Sequence, residues 1–186
     1  MTLNSLLARS RRLALAGLLG CTIALAGCAA VEPGAYSGEQ PRLDLQRYFN
    51  GTLEGHGMFS NRFGKVERRF VVTIAASWKD GVGTLDERFV WSDGETETRV
   101  WTLRPDGPGR WIGTADGVLG EARGVVSGNA LHWTYRYRLR TAEGGSYDLS
   151  FDDWMFLIDD RVMLNRAVMR YFGIRVGEVL ISFRRG

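Results

Sequence analysis

The chain has 186 residues, with 24 Lys and Arg against 21 Asp and Glu and an aromatic share of 11%, enough for one domain with a sizeable core. Arg9, Arg11 and Arg12 carry the whole positive excess and the chain beyond Gly27 is balanced, so the charge argues against a nucleic-acid-binding surface. Both cysteines, Cys21 and Cys28, lie near the N-terminus, which leaves the downstream domain without a disulfide and dependent on packing.

In chain order, the three arginines precede an apolar run from Leu13 to Ala26 that closes on Leu25-Ala26-Gly27-Cys28. A basic segment, a short apolar segment and small residues before a cut form the secretory pattern, and the Cys after Leu-Ala-Gly resembles a lipobox. The run is shorter than the roughly 20 residues a membrane span needs. The expected arrangement is a signal peptide over residues 1–27, removed on export, with Cys28 acylated. Cys21 is the rival acceptor, but a cut there leaves an apolar segment of only about seven residues. Arg11-Arg12 superficially resembles a twin-arginine signal, yet Ala14 stands where an aromatic belongs, which favours ordinary export. Ala29 after Cys28, in place of the Asp that favours inner-membrane retention, points to an outer-membrane anchor with the domain on the periplasmic face.

Residues 28–42 hold Pro33, Gly34, Ser37, Gly38 and Pro41 and few large apolar residues, the composition of a flexible tether. The domain is expected over 43–186. Tyr48-Phe49 suggests a short lead-in turn. Strands are then predicted over 52–59, 70–78, 85–91, 99–104, 110–115, 121–126, 131–140, 147–158, 161–169 and 175–183, each rich in β-branched and aromatic residues and bounded by turn residues. Leu131, Trp133, Tyr135, Tyr137 and Leu139 alternate with His132, Thr134, Arg136, Arg138 and Arg140, giving one strand an apolar and a cationic face. Asp93-Gly94 marks a hairpin. The 165–171 stretch also reads as a helical turn. About ten strands in hairpin order predict an all-β, up-and-down antiparallel barrel, whose closure removes the exposed edges of a long meander. A β-sandwich is the alternative.

Several runs carry a family resemblance across nearly the whole exported chain: Tyr48-Phe49-Asn50-Gly51, Leu85-Asp86-Glu87-Arg88-Phe89, Ser92-Asp93-Gly94-Glu95, Arg99-Val100-Trp101, Gly128-Asn129-Ala130, Asp152-Asp153-Trp154-Met155 and Leu164-Asn165-Arg166. Together they resemble the bacterial lipoprotein family known as domain of unknown function 3833. The resemblance implies an exported, lipocalin-like β protein with no established activity and no catalytic residues to carry over. It also implies a genetic setting near lipid-modifying enzymes such as relatives of cyclopropane fatty-acid synthase.

No nucleophile elbow, phosphate loop or dinucleotide fingerprint is present, so no enzyme class is indicated. His56 and His132 lie on separate segments without metal-ligand spacing, so neither a metal nor a haem cofactor is expected. Asp152 and Asp153 are consecutive strand residues and point to opposite faces. One is expected to meet water and the other to pair with Arg136 or Arg166. If Glu87 shares a face with Phe89 and Trp91 it needs a buried partner such as Arg99, but charges beside a turn usually face water, so a solvated hairpin stem is the favoured expectation and the buried pair its alternative.

The leading expectation is a lipid or fatty-acid carrier without catalysis. Arg99, Arg136 and Arg166 are its headgroup candidates, Glu87 and Asp153 its polar companions, and Trp101, Trp133, Tyr135 and Trp154 its apolar lining. A second reading is a solidly packed barrel that docks an envelope protein through Arg136, Arg138 and Arg140. A third is a lipid-modifying enzyme built on Glu87 and Asp153.

Overall fold

A computed structural model describes residues 30–141 and 144–186. The expected signal peptide, Cys21 and the acylation site Cys28 lie outside the described residues. Residues Pro33–Gly186 form one compact unit.

Alternation of apolar and polar residues drives the architecture. In the second strand, Phe70, Val72, Ile74 and Ala76 are buried while Val71, Thr73, Ala75 and Ser77 are exposed, as a period of two demands. Ten such strands follow: β1 (Gly51–Asn61), β2 (Val66–Lys79), β3 (Val82–Trp91), β4 (Thr96–Pro105), β5 (Arg110–Thr114), β6 (Ala122–Ser127), β7 (Ala130–Arg140), β8 (Ser146–Leu157), β9 (Val162–Tyr171) and β10 (Ile174–Arg185). Each pairs antiparallel with its sequence neighbours. Pairing of β1 with β10, from Leu53 opposite Arg185 to Asn61 opposite Gly177, closes the barrel. The up-and-down barrel expected from the sequence is therefore the observed fold, and the sandwich is excluded. The 165–171 stretch is strand rather than helical turn.

The meander gives the barrel two unlike poles. At one, helix α1 (Leu45–Tyr48) and Phe49 plug the interior. Asp44 caps α1 by accepting from the Arg47 N–H at 3.0 Å, satisfying a donor that the helix start leaves free. The Tyr48 hydroxyl donates to the carbonyls of Arg161 and Phe183 at 3.2 and 3.3 Å, and the Trp78 indole N–H donates to the Phe49 carbonyl. The hairpins β1–β2, β3–β4, β7–β8 and β9–β10 turn at the opposite pole, which α1 leaves open.

The stretch expected as a free tether is attached from Pro33 onward. A 3₁₀ turn (Pro33–Tyr36) sets the Tyr36 ring edge-on against Trp154 and Phe156, with centroids at 5.5 and 5.1 Å. Leu43 N–H donates to the Gly128 carbonyl at 2.8 Å. Gly128 has φ +56° and lies directly beneath the Tyr36 carbonyl, where a Cβ would collide with backbone. Composition suggested flexibility here because its few apolar residues act one at a time, through Tyr36 and Leu43.

Candidate functional site

The barrel encloses a cavity of about 380 Å³, bounded at its floor by Leu45 and Phe49 and open toward the hairpin pole. That volume lies at the lower end of the range for small-molecule sites, roughly 300–1,000 Å³. The inner wall is mostly apolar. Trp101 packs edge-on against Trp133 and Tyr135, with centroids at 5.8 and 5.4 Å, and Tyr135 stacks on Phe151 at 4.8 Å. Space for Trp133 comes from Gly113 on β5 and Gly124 on β6, since a Cβ at either would run into its indole.

A polar girdle crosses this apolar wall. Glu87 on β3 stands directly opposite Arg99 on β4 and both face the cavity, so the favoured expectation of a solvated stem is overturned and the alternative, a buried pair, is the observed arrangement. Burial pushes the Glu87 carboxyl up to about 7, while Arg99 pulls the other way, Glu97 adds to the rise and Trp101 opposes it. Glu87 keeps partial solvent access through the cavity it faces. Burial works against the Arg99 charge, but Glu87, Tyr135 and Glu97 outweigh it and hold the guanidinium firmly protonated. Arg99 donates to Glu97 at 2.6 Å and lies 4.9 Å from the Tyr137 ring centroid and 5.5 Å from that of Phe89, the geometry of cation–π attraction.

Asp153 on β8 completes the girdle, 6% exposed. Burial raises its pKa well above the carboxylate range, Asp152 and Glu87 add to the rise, and Arg99 opposes it. Tyr135 is likewise pushed up, first by burial and then by the Asp153 charge, so its phenol keeps its proton. Two buried polar atoms of this girdle, Arg99 Nε and Asp153 Oδ1, find no hydrogen-bond partner among the described residues. Orphans of this kind cost roughly 1–3 kcal/mol each.

Of the nine residues singled out in the sequence, Glu87, Arg99, Trp101, Trp133, Tyr135 and Asp153 line the cavity. The other three face outward. Arg136 is exposed and reaches Asp148 at 3.5 Å, Arg166 pairs with Glu178 at 3.1 Å, and Trp154 stacks on His132 at 4.3 Å under Tyr36. Strand parity is the reason: each is one residue out of step with the inward set Tyr135, Asp153 and Asn165. Asp152 points outward, opposite to Asp153 as expected, but its partners are His132 at 2.8 Å and Arg170 at 3.1 Å rather than Arg136 or Arg166. Arg138 is held by Asp148 at 2.7 Å, which neutralises much of the cationic stripe.

Sequence reasoning missed Arg68, Glu97, Tyr137 and Asn165, which also line the cavity. Parity with Phe70, Arg99, Tyr135 and Ala167 respectively was the available signal.

The match to known families is extensive. The model of the family described as Protein of unknown function (DUF3833) covers residues 22–185. The chain belongs to that family. No curated protein matches it. Among solved structures it is similar to the S-type phycobiliprotein lyase CPES from Guillardia theta, at 7% identity and a TM-score of 0.57, covering 78% of this chain and 94% of that one. Rv2717c from M. tuberculosis is similar at 14% identity and a TM-score of 0.55, covering 74% and 92%. A protein of unknown function from the DUF3598 family of Nostoc punctiforme gives 16% and 0.54, covering 80% of this chain and 51% of that one. At these identities the likeness establishes a shared lipocalin-like barrel and nothing about activity.

Proposed function

We propose that this DUF3833 protein is an exported lipoprotein, acylated at Cys28 and anchored in the outer membrane on its periplasmic face, whose barrel holds a fatty acid or similar single-chain lipid. The observation that carries the binding reading is the apolar cavity crossed by a girdle with two unpartnered atoms, a donor at Arg99 Nε and an acceptor at Asp153 Oδ1. A carboxylic headgroup supplies an acceptor for the first and, when protonated, a donor for the second. The surrounding aromatic and aliphatic wall takes up the chain, with a gain of about 0.8 kcal/mol per buried CH₂. The anchor rests on the lipobox-like Leu25-Ala26-Gly27-Cys28.

Residues 29–186 include every strand and the plug helix and are the form for the test. Native mass spectrometry of this form, followed by solvent extraction, is expected to find one co-purified lipid per barrel. An empty protein that binds neither fatty acids nor phospholipids in titration overturns the carrier reading and shifts weight to an envelope-protein partner. For the anchor, Cys28→Ser is expected to abolish incorporation of labelled palmitate in cells, and undiminished labelling overturns it.

A second reading draws on Glu87, a carboxyl poised near neutrality inside an apolar cavity, as acid–base catalysts are. Here Glu87 and Asp153 move protons on a bound lipid. Product formation that survives in both Glu87→Gln and Asp153→Asn removes that reading.

A further inference from the structure

Two hairpin tips at the open pole carry the most exposed large apolar side chains at that end, Phe63 at 81% and Phe172 at 87%. They belong to adjacent hairpins, because β1 pairs with β10. Exposed apolar residues on the outer wall are common in any soluble protein, and here those on the strands of the wall are half-covered. A fully exposed phenylalanine at each of two neighbouring tips is a different feature.

The backbone at Phe172 adds a second, independent observation. The β2–β3 and β9–β10 connections are both two-residue loops with positive φ at each position: Asp80-Gly81 at 52° and 78°, Phe172-Gly173 at 47° and 80°. Such turns favour Asn or Asp before Gly, because these tolerate the left-handed region. Asp80-Gly81, at the plugged pole, follows that preference. Phe172-Gly173 places a bulky aromatic in a costly conformation and leaves its ring mostly in water, edge-on to Tyr171 at 4.6 Å, so little burial offsets that cost.

Arg62 lies over the Phe63 ring at 4.7 Å. Lys65 shares that turn and is paired with Glu67 at 3.1 Å, and Arg175, following Phe172 on β10, is paired with Glu178 at 2.8 Å. Arg140 ends β7 at the next hairpin, β7–β8. The acidic tip, Asp93 and Glu95 on β3–β4, adjoins the Phe63 tip on the flank away from β9–β10, because β2 pairs with β3, and its carboxylates are held by Arg68 at 2.7 Å each. Aromatic side chains flanked by Arg and Lys suit the interface of a bilayer containing anionic lipid.

We propose that the open mouth is a bilayer-docking surface, in which Phe63 and Phe172 insert among the headgroups of an anionic phospholipid membrane and Arg62 and Arg140 contact the phosphates. Docking stands on the tips alone. That a lipid enters the cavity directly from the membrane rests on the carrier reading above.

The test uses residues 29–186, which lack Cys28 and therefore any acyl anchor. Co-sedimentation with vesicles of phosphatidylglycerol and phosphatidylcholine is expected, weakening with added salt and much reduced with phosphatidylcholine alone. Phe63→Ser with Phe172→Ser, both at exposed positions, is expected to retain the thermal unfolding transition and to lose roughly tenfold or more in vesicle affinity. Unchanged binding by that variant overturns the proposal, as does a wild-type protein that ignores anionic vesicles. A dimer that the same variant dissolves, with no vesicle binding, assigns the tips to a second copy instead. Fatty-acid titration in parallel separates the two readings, because loss of docking with intact fatty-acid binding defeats only the mouth, and the reverse defeats only the carrier.

Discussion

At the plugged pole the barrel spends its residues on closure: Leu53, Met163 and Phe183 are buried, Tyr48 hydrogen-bonds two carbonyls, and Asp80-Gly81 takes an unstrained turn. At the open pole the same strands carry Arg68, Glu97 and Arg99 on their inner face and Phe63 and Phe172 at their tips. The contrast separates stability from function along a single axis. Residues near α1 pack tightly on one another, although Asn129 Oδ1 and Arg185 Nε there lack a hydrogen-bond partner among the described residues, whereas those toward the mouth leave a cavity and largely exposed rings.

The largest effect that tests this division belongs to the plugged pole. Leu53 is fully buried against the plug, and Leu53→Ala is expected to cost about 2–5 kcal/mol, read as a fall in the denaturant midpoint at unchanged slope. Fatty-acid affinity, measured where the variant remains folded, is expected to be unaltered. Lost affinity in a folded Leu53→Ala protein breaks the separation.

Next in size is the pH response of the girdle. Glu87 titrates near 4.5 when unfolded and near 7 in the barrel, so the native state prefers its protonated form. Its contribution to stability is complete below about pH 4.5, is lost as pH rises through 7, and stays lost above. Asp153 is shifted in the same direction. Glu87→Gln is expected to remove about 2 kcal/mol of the stability difference between pH 5 and pH 8, seen by urea unfolding at the two values. An unchanged difference means that the carboxyl is ionised and water-solvated in the native cavity.

How much of this was legible beforehand follows from which forces are local. All ten strands could be read because apolar alternation is a property of a few consecutive residues, and Leu131–Arg140 displays it openly. The Asp93-Gly94 turn made Glu87 and Arg99 neighbours on β3 and β4, but not their burial, because charges beside a turn usually face water and only closure of the barrel turns this face inward. Arg136, Arg166 and Trp154 were misassigned because aromatic and charged residues occupy both faces of β7, β8 and β9, so chemistry alone cannot identify the inner face. Parity relative to a neighbour of known direction settles it, as Asp153 does for Trp154. The attachment of residues 33–42 was hidden because Tyr36 finds Trp154 and Phe156 only after the barrel brings them to its outer wall.

A smaller effect probes the plug from its polar side. Tyr48→Phe removes the hydroxyl that serves the Arg161 and Phe183 carbonyls while preserving the ring, and is expected to lower stability by about 1 kcal/mol, measured by thermal unfolding. The change falls on the closure of the plugged pole, so vesicle binding at the mouth is expected to remain intact.

The smallest effect is the most discriminating, because its sign differs from the others. If Phe172 is kept at positive φ for a purpose at the mouth, then replacing it with the residue the turn prefers improves the fold. Phe172→Asn is expected to raise stability by about 0.5–1 kcal/mol, the relief of a bulky residue in the left-handed region. The mirror substitution at the plugged pole, Asp80→Phe, recreates the strain and is expected to lower stability by a similar amount. Calorimetry of both variants gives two shifts of opposite sign. A destabilised Phe172→Asn protein means that the ring packs on Tyr171, whose centroid lies 4.6 Å away, strongly enough to offset its backbone cost. In that case the aromatic tip belongs to the structural economy of the barrel, and the contrast between the poles narrows to the cavity alone.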